Sequence, residues 1–315
     1  MAKIAFLGNF RVDFTSESHH AKTLESLGHK VYRLQETEAP AEEILRVAVK
    51  SDLFIWVHTH GWRTRGSFDM EHVLKRLADY KIPTMTYHLD LWFGLQRQKD
   101  LNKFPVYKNI GHFFTVDSQM ADWFNKNTNV KGHYLPAGVF DQECYYTPQK
   151  FKHDVIFIGS KKYHPEWPYR TELINWLDKN YRKKFAHYGN GGIKSVRGDE
   201  LNNTYASTKI VVGDTLCIGF KYPDYWSDRV YETMGRGGFI IHPYISGMER
   251  EFEDKKHLVF YEYGNFKQLK KLIDYYLKHD EEREEIRIAG HELVKENYTY
   301  KNRWTYILKE LGVNR

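Results

Sequence analysis

The stretch YPDYWSDRVYETMGRGGFIIHP, from Tyr222 to Pro243, places two carboxylates, Asp224 and Glu232, eight positions apart with Arg229 between them. Gly237 and Gly238 follow, and then the apolar run FIIHP. Ser227 suits the N-cap of a helix running from Asp228 to about Gly235, because its hydroxyl can take a free N–H of the first turn. Arg229 and Glu232 are three apart and share a face of that helix. A helix start offers unbonded N–H groups and partial positive charge, which fit a phosphate, and Arg229 can add a forked contact. Glu232 can accept from two neighbouring hydroxyls, as a ribose offers. Asp224, in the preceding loop, can face a sugar carried on the diphosphate. An ordinary amphipathic helix with a surface ion pair has the same spacing, so the rest of the chain has to decide.

Outward from this stretch the chain alternates strand and helix signals. KIAFLG, KVYRL, DLFIWVHTH, PTMTYHLD, HFFTVD and VKGHYLP read as strands of a first half. Helices fall between most of them, such as PAEEILRVAVKS with Pro40 at its start. The pattern restarts at HDVIFIG and continues through KKFAHYG, KIVVGDT, FIIHP and LVFYE, and from Asn265 onward the chain reads as helix. Short apolar runs alternating with helices predict βαβ units and mainly parallel sheets. The turn-rich segment LPAGVFDQECYYTPQ marks the join. The expected organisation is therefore a first Rossmann-like domain over 1–138, a second over 150–298 and a closing helix over 299–315. In such sheets ligands sit outside the carboxyl ends of the strands, so the loops after strands are where functional residues should lie.

Composition sets limits. The 315 residues include 23 Tyr, 19 Phe and 8 Trp, and the net charge is +6, which permits an anionic ligand without requiring one. Two cysteines, Cys144 and Cys217, form no CxxC pair, which argues against a disulfide framework or a cysteine zinc site. No apolar run is long enough to span a bilayer, and the start MAKIAFLGNF goes directly into a strand, so no membrane association and a cytoplasmic location are expected (host cytoplasm, were the chain phage-encoded). The first turn, GNFRVDF, lacks G-x-G-x-x-G, which disfavours an NAD-dependent dehydrogenase.

The opening stretch resembles the donor-binding motif of GT-B glycosyltransferases, especially the group 1 and spore-maturation-type relatives. There two acids are separated by seven residues and the second begins E-A-M-x-x-G. Asp224 takes the first position, and Glu232-Thr233-Met234-Gly235-Arg236-Gly237 follows the second. The first acid of the motif is usually Glu, and Asp224 is one methylene shorter. FFTVDSQMADWFNKNTNVKGHYLPAGV looks like the end of the family's first domain, DVIFIGS like the first strand of its second, GDELNNTYASTKIVV like its next helix and strand, and NYTYKNRWTYIL like its closing helix. The likeness covers most of 110–310.

The resemblance implies an α/β fold of the GT-B type, two Rossmann-like domains facing across a cleft with C-terminal helices. It implies a metal-independent transferase that moves a hexosyl or pentosyl group from a nucleotide-sugar, UDP-linked by default, to an acceptor hydroxyl. The loop GSKKYH should face the donor phosphates, with Gly159 allowing backbone approach and Lys161, Lys162 or Arg170 adding charge. Tyr188 and Gly189 of HYGN should lie near the base. Asp224, Ser227, Arg229 and Glu232 complete the expected donor site. No D-x-D triplet occurs, which agrees with charge neutralisation by Arg, Lys and a helix start; no metal and no cofactor are expected, the nucleotide-sugar being a substrate.

Acceptor-side candidates lie on loops of the first half. Asp90 is the first choice of catalytic base and His60 the second, with Asp224 assisting from the donor side; His58 and His88 are neighbours of the first two. Arg11, Asp13, Arg63, Arg65, Trp92 and Arg97, with Lys99, Lys103 and Phe93 nearby, are expected at the acceptor. Arginines interleaved with aromatic rings suit a nucleic-acid backbone and an extruded base, and phage enzymes that glycosylate hydroxymethylated pyrimidines in DNA use this broad fold. A polysaccharide, protein or small-molecule acceptor fits the same loops. A sugar-nucleotide epimerase, or a non-catalytic nucleotide- or nucleic-acid-binding relative, are the readings of other classes. Paired acids resemble the retaining branch, but the residues leave the stereochemistry and the oligomeric state open.

Overall fold

The computed structural model describes all residues except 93, 94, 102, 163–166, 217–221 and 314–315. Phe93, Cys217 and the end of the GSKKYH loop therefore lie outside the described residues. The chain divides into two units, Met1–Pro136 with Tyr300–Arg315, and Ala137–Thr299.

The first unit is built on β1 (Lys3–Gly8), β2 (Lys30–Gln35), β3 (Leu53–Trp56), β4 (Thr84–His88), β5 (His112–Thr115) and β6 (Lys131–Tyr134), all parallel, in the order β2-β1-β3-β4-β5-β6. Between them run α1 (Ser16–Ser26), α2 (Ala41–Ala48), α3 (Met70–Asp79), α4 (Pro105–Asn109) and α5 (Ser118–Asn127). Ile4 to Leu7 are buried without exception, as a central parallel strand covered on both faces requires. Side-chain caps fix the helix starts: Asp69 accepts from His72 N at 2.9 Å, and Asp117 from Gln119 N at 3.1 Å and Met120 N at 3.2 Å.

The third strand is shorter than DLFIWVHTH predicts. Val57 N still reaches Leu7 O at 3.0 Å, but Thr59 N is taken by the Glu36 carboxylate at 2.9 Å, which draws the chain out of the ladder. The last helix, α11 (Tyr300–Glu310), belongs to this unit and lies against α1. His20 of α1 stacks on Tyr300 with ring centroids 4.1 Å apart and accepts from Trp304 Nε1 at 3.1 Å. Burial pushes the His20 imidazole down to about 3, so it stays neutral and able to accept that bond.

The second unit carries β7 (His153–Ile158), β8 (Phe185–Tyr188), β9 (Thr208–Val212), β10 (Ile240–Pro243) and β11 (Val259–Tyr261), parallel, in the order β11-β10-β9-β7-β8. Its helices are α6 (Tyr169–Tyr181), α7 (Gly198–Ala206), α8 (Arg229–Gly235), α9 (Phe266–Tyr276) and α10 (Asp280–Asn297). Both sheets are doubly wound. In the first, chain direction switches between β1 and β3; in the second, between β7 and β9. The crevice beyond the carboxyl ends at such a switch is where this architecture holds ligands.

Glu17, in the first turn of α1, is 8% exposed, and burial lifts its carboxyl to about 7, with the neighbouring Glu36 adding to the rise. A carboxyl raised in the folded state binds more protons than the unfolded chain between about pH 4.5 and 7, so its contribution to stability is present at low pH and lost as pH rises through that window. The full effect is of order 3 kcal/mol, from about 1.4 kcal/mol per pKa unit. Glu17→Gln is expected to flatten the decline in urea-denaturation stability between pH 5 and pH 8; an unchanged pH slope would show that Glu17 ionises freely.

Candidate functional site

The switch point of the second sheet is bounded by Gly159, just after β7, and Asp214, just after β9. Asp214 is 1% exposed and holds two arginines. Arg170, from the first turn of α6, donates from Nε to Asp214 Oδ2 at 2.7 Å. Arg229, the first residue of α8, brings Nη1 to 3.6 Å from Oδ1. Neither Asp214 Oδ1 nor Arg229 Nη1 has a hydrogen-bond partner among the described residues. Gly159 has φ +148°, and a β-carbon there would lie 2.9 Å from Arg229 Nη1, so only glycine leaves the guanidinium its place.

The loops after β7 and β8 close against each other. Gly159 N donates to Tyr188 O at 2.8 Å, Lys161 N to Asn190 O at 2.9 Å, and His187 Nε2 bonds Gly159 O at 2.7 Å. Gly189, φ +118°, fits because a β-carbon would sit 2.5 Å from Gly159 O. Lys161 is half-buried in this turn and Lys162 exposed. Tyr188 packs its ring against the Ile156 cluster and bonds His153 Nε2 through its hydroxyl at 2.9 Å, so its edge is already engaged.

Around α8, Ser227 Oγ accepts from Arg229 N at 3.3 Å and donates to Asp228 Oδ1 at 3.0 Å. Asp228 occupies the cap position and the helix is Arg229–Gly235, one residue shorter than expected. Glu232 keeps a third of its side-chain surface and stands 3.9 Å from Arg236 Nη2. Burial, and then the Asp228 charge, push its carboxyl above the ordinary range. Arg236 is itself buried, bonded to Glu143 and to Asn202 Oδ1. Asp224 has φ +59°, unusual for a residue with a side chain, and its carboxylate pairs with Arg250.

In the first unit the expected residues are placed less uniformly. His60 is exposed, its ring 5.7 Å from Trp92 and 5.6 Å from Phe104. Asp90 is half exposed, 4.0 Å from Arg97 Nη2. Arg11, Asp13, Arg63 and Arg65 are exposed, and the Arg11 guanidinium lies 5.1 Å over the Trp62 ring. Two acceptor candidates differ from expectation. Trp92 is 1% exposed, packed on Tyr107 at 5.0 Å, and belongs to the core because the turn after β4 folds inward. Arg97 turns back to Leu91 O and the Trp92 ring, holding that turn rather than projecting from it.

Two acids escaped the sequence reading. Asp214 is one, Glu36 the other. Glu36 is fully buried just after β2 and accepts from Trp56 Nε1 at 2.9 Å, Thr59 N at 2.9 Å and His58 Nδ1. The available signal was an acid directly following an apolar strand, QE after KVYRL and GD after KIVV. Among the described residues no three of His, Cys, Asp and Glu converge as a metal site would need, and no helix is long and apolar enough to cross a membrane.

Residues 165–309, which take in α6 through α10 and most of α11, match the family described as glycosyl transferase-like. Anabaena HepE, solved with UDP-glucose, superposes with a TM-score of 0.65 at 11% identity, covering 98% of this chain and 100% of that one. The chain has the GT-B fold, and its segment 165–309 is glycosyl transferase-like. An alpha-glucosyltransferase solved with UDP-glucose and DNA containing an abasic site has a TM-score of 0.74 at 9% identity, with 99% of each chain covered. A glycosyltransferase from Rickettsia africae has 0.63 at 14%, with 99% of each covered. At these identities the structural likeness shows the fold. No curated protein matches the chain.

Glu36 gathers three donors at one buried carboxylate. Glu36→Ala is expected to destabilise the chain by about 3–5 kcal/mol in urea denaturation, since buried donors are left unpaired. A loss below about 1 kcal/mol would show that water replaces the carboxylate.

Proposed function

We propose that the protein transfers a sugar from a uridine diphosphate sugar to an acceptor hydroxyl, and that the acceptor is a hydroxymethylated pyrimidine in DNA. The observation that carries the donor half is the pair of arginines held at the second sheet's switch point, in the segment that matches the glycosyl transferase-like family. In the reaction the acceptor hydroxyl oxygen attacks the anomeric carbon, its proton passing to a general base or to the leaving phosphate, while the bond from that carbon to the β-phosphate oxygen breaks and the diphosphate leaves with the electron pair. Negative charge grows on the phosphate, and a fixed cation is most effective there because it need not reorganise. Arg229, with Lys161 and the backbone at Gly159, would meet that charge, and Glu232 would take the ribose hydroxyls. UDP-glucose bound to Anabaena HepE and to the alpha-glucosyltransferase supports the choice of uridine.

The DNA half rests on the first unit. Arg11 stacked on Trp62, with Arg63, Arg65 and the 54%-exposed Phe14, gives cations and ring faces on the loops after β1 and β3. That combination suits phosphate contacts and an unstacked base. The DNA bound to the alpha-glucosyltransferase supports it.

The test is nucleoside diphosphate release from a panel of sugar nucleotides, alone, with duplex containing 5-hydroxymethylcytosine or 5-hydroxymethyluracil, and with unmodified duplex. UDP release stimulated only by a modified duplex is expected. Stimulation by oligosaccharides, peptides or small glycosides instead would remove the DNA acceptor and leave the donor. Nucleotide binding with no transfer to any acceptor would indicate a non-catalytic relative.

A further inference from the structure

We infer that Asp214 is the positioning residue of the donor site: its carboxylate fixes Arg170 and Arg229 so that the Arg229 guanidinium stands at Gly159, where it takes the diphosphate. The inference rests on the donor reading above and assigns a role to a residue outside the paired-acid motif.

Three observations converge. The first is charge. Two guanidinium groups drawn to one buried point repel each other unless an anion lies between them, and Asp214 supplies it with one oxygen for each. The second is asymmetry. Arg170 is 6% exposed and bonds Asp214 Oδ2 at 2.7 Å, a tight structural pair. Arg229 keeps 21% of its side-chain surface and stands at 3.6 Å, beyond hydrogen-bond range, and its Nη1 has no hydrogen-bond partner among the described residues. It is therefore aligned by the carboxylate without being consumed by it. The third is clearance. Gly159 and Gly213 lack the side chains that would fill this space: a β-carbon at 159 would meet Arg229 Nη1 at 2.9 Å, and one at 213 would meet His242 Cδ2 at 2.6 Å. His242 lines the same end of the sheet. Burial lowers it to about 4, opposed by the Asp214 charge and backbone and reinforced by Arg229, so it stays neutral and leaves Asp214 to the arginines.

Asp214 touches no ligand in this scheme. Removing its charge should loosen Arg229, raise the Kd for UDP and raise KM for the sugar nucleotide more than it lowers kcat. Calorimetric titration with UDP on wild type, Asp214→Asn, Arg229→Gln and the double variant measures this. The expected result is a rise in Kd of about tenfold for Asp214→Asn, and no further rise when it is added to Arg229→Gln, because the two residues act through one contact. A merely structural Asp214 would give additive losses, or an unchanged Kd beside a lower melting temperature, and either would overturn the inference. Should Asp214→Asn not fold, Gly159→Ala serves. It leaves the carboxylate in place and displaces the Arg229 tip, so an unchanged Kd for UDP overturns the inference and a rise that disappears in the Arg229→Gln background supports it. Absence of UDP binding by wild type overturns the donor reading and this inference together, whereas binding by wild type that Asp214→Asn leaves intact overturns this inference alone.

Discussion

Two arginines at the carboxyl end of one sheet need a counter-charge, and the chain supplies a single buried carboxylate. Asp214 lies two residues past β9, after Gly213, whose N–H bonds Ile241 O, so the sheet sets its position. Arg170 comes from the helix after β7 and Arg229 from the helix before β10, and each is aimed by the packing of its own helix. The arrangement holds positive charge at the switch point. A buried triad of this kind is costly to desolvate and contributes little net stability, so its presence is better explained by what it holds than by the energy it adds.

The first unit repeats the logic with a different outcome. Glu36 follows β2 as Asp214 follows β9, but it gathers an indole, a backbone N–H and an imidazole rather than arginines. It fixes the turn after β3, which sets His58 inside and leaves His60 and the segment bearing Arg63 and Arg65 outside. One buried acid thus organises a pair of arginines and the other a loop carrying exposed cations and rings.

Much of this was legible in the sequence. Runs such as IAFL, VIFI and FIIHP are apolar without alternation, which is what strands covered on both faces must be. Arg229 and Gly159 were legible because a helix start and a strand end are recognisable places. Asp214 and Glu36 were not, since an acid after a strand has no period of its own and most such acids face water. Trp92 was misread for the converse reason: a tryptophan in a loop pattern looks available, and only the inward fold of the turn after β4 shows that it is core. Arg97 followed it, because a guanidinium beside a buried indole finds carbonyl and ring partners locally. The likeness to GT-B enzymes ordered the segments correctly but carried no information about which neighbouring charges hold the motif in place.

The most direct measurement is a crystal structure of the protein with UDP. The account predicts the diphosphate at the β7/β9 switch point, its oxygens within hydrogen-bond reach of the Arg229 guanidinium and the backbone at Gly159 to Lys161, with the ribose at Glu232. A diphosphate bound elsewhere, or bound there with Arg229 turned away into solvent, would contradict it.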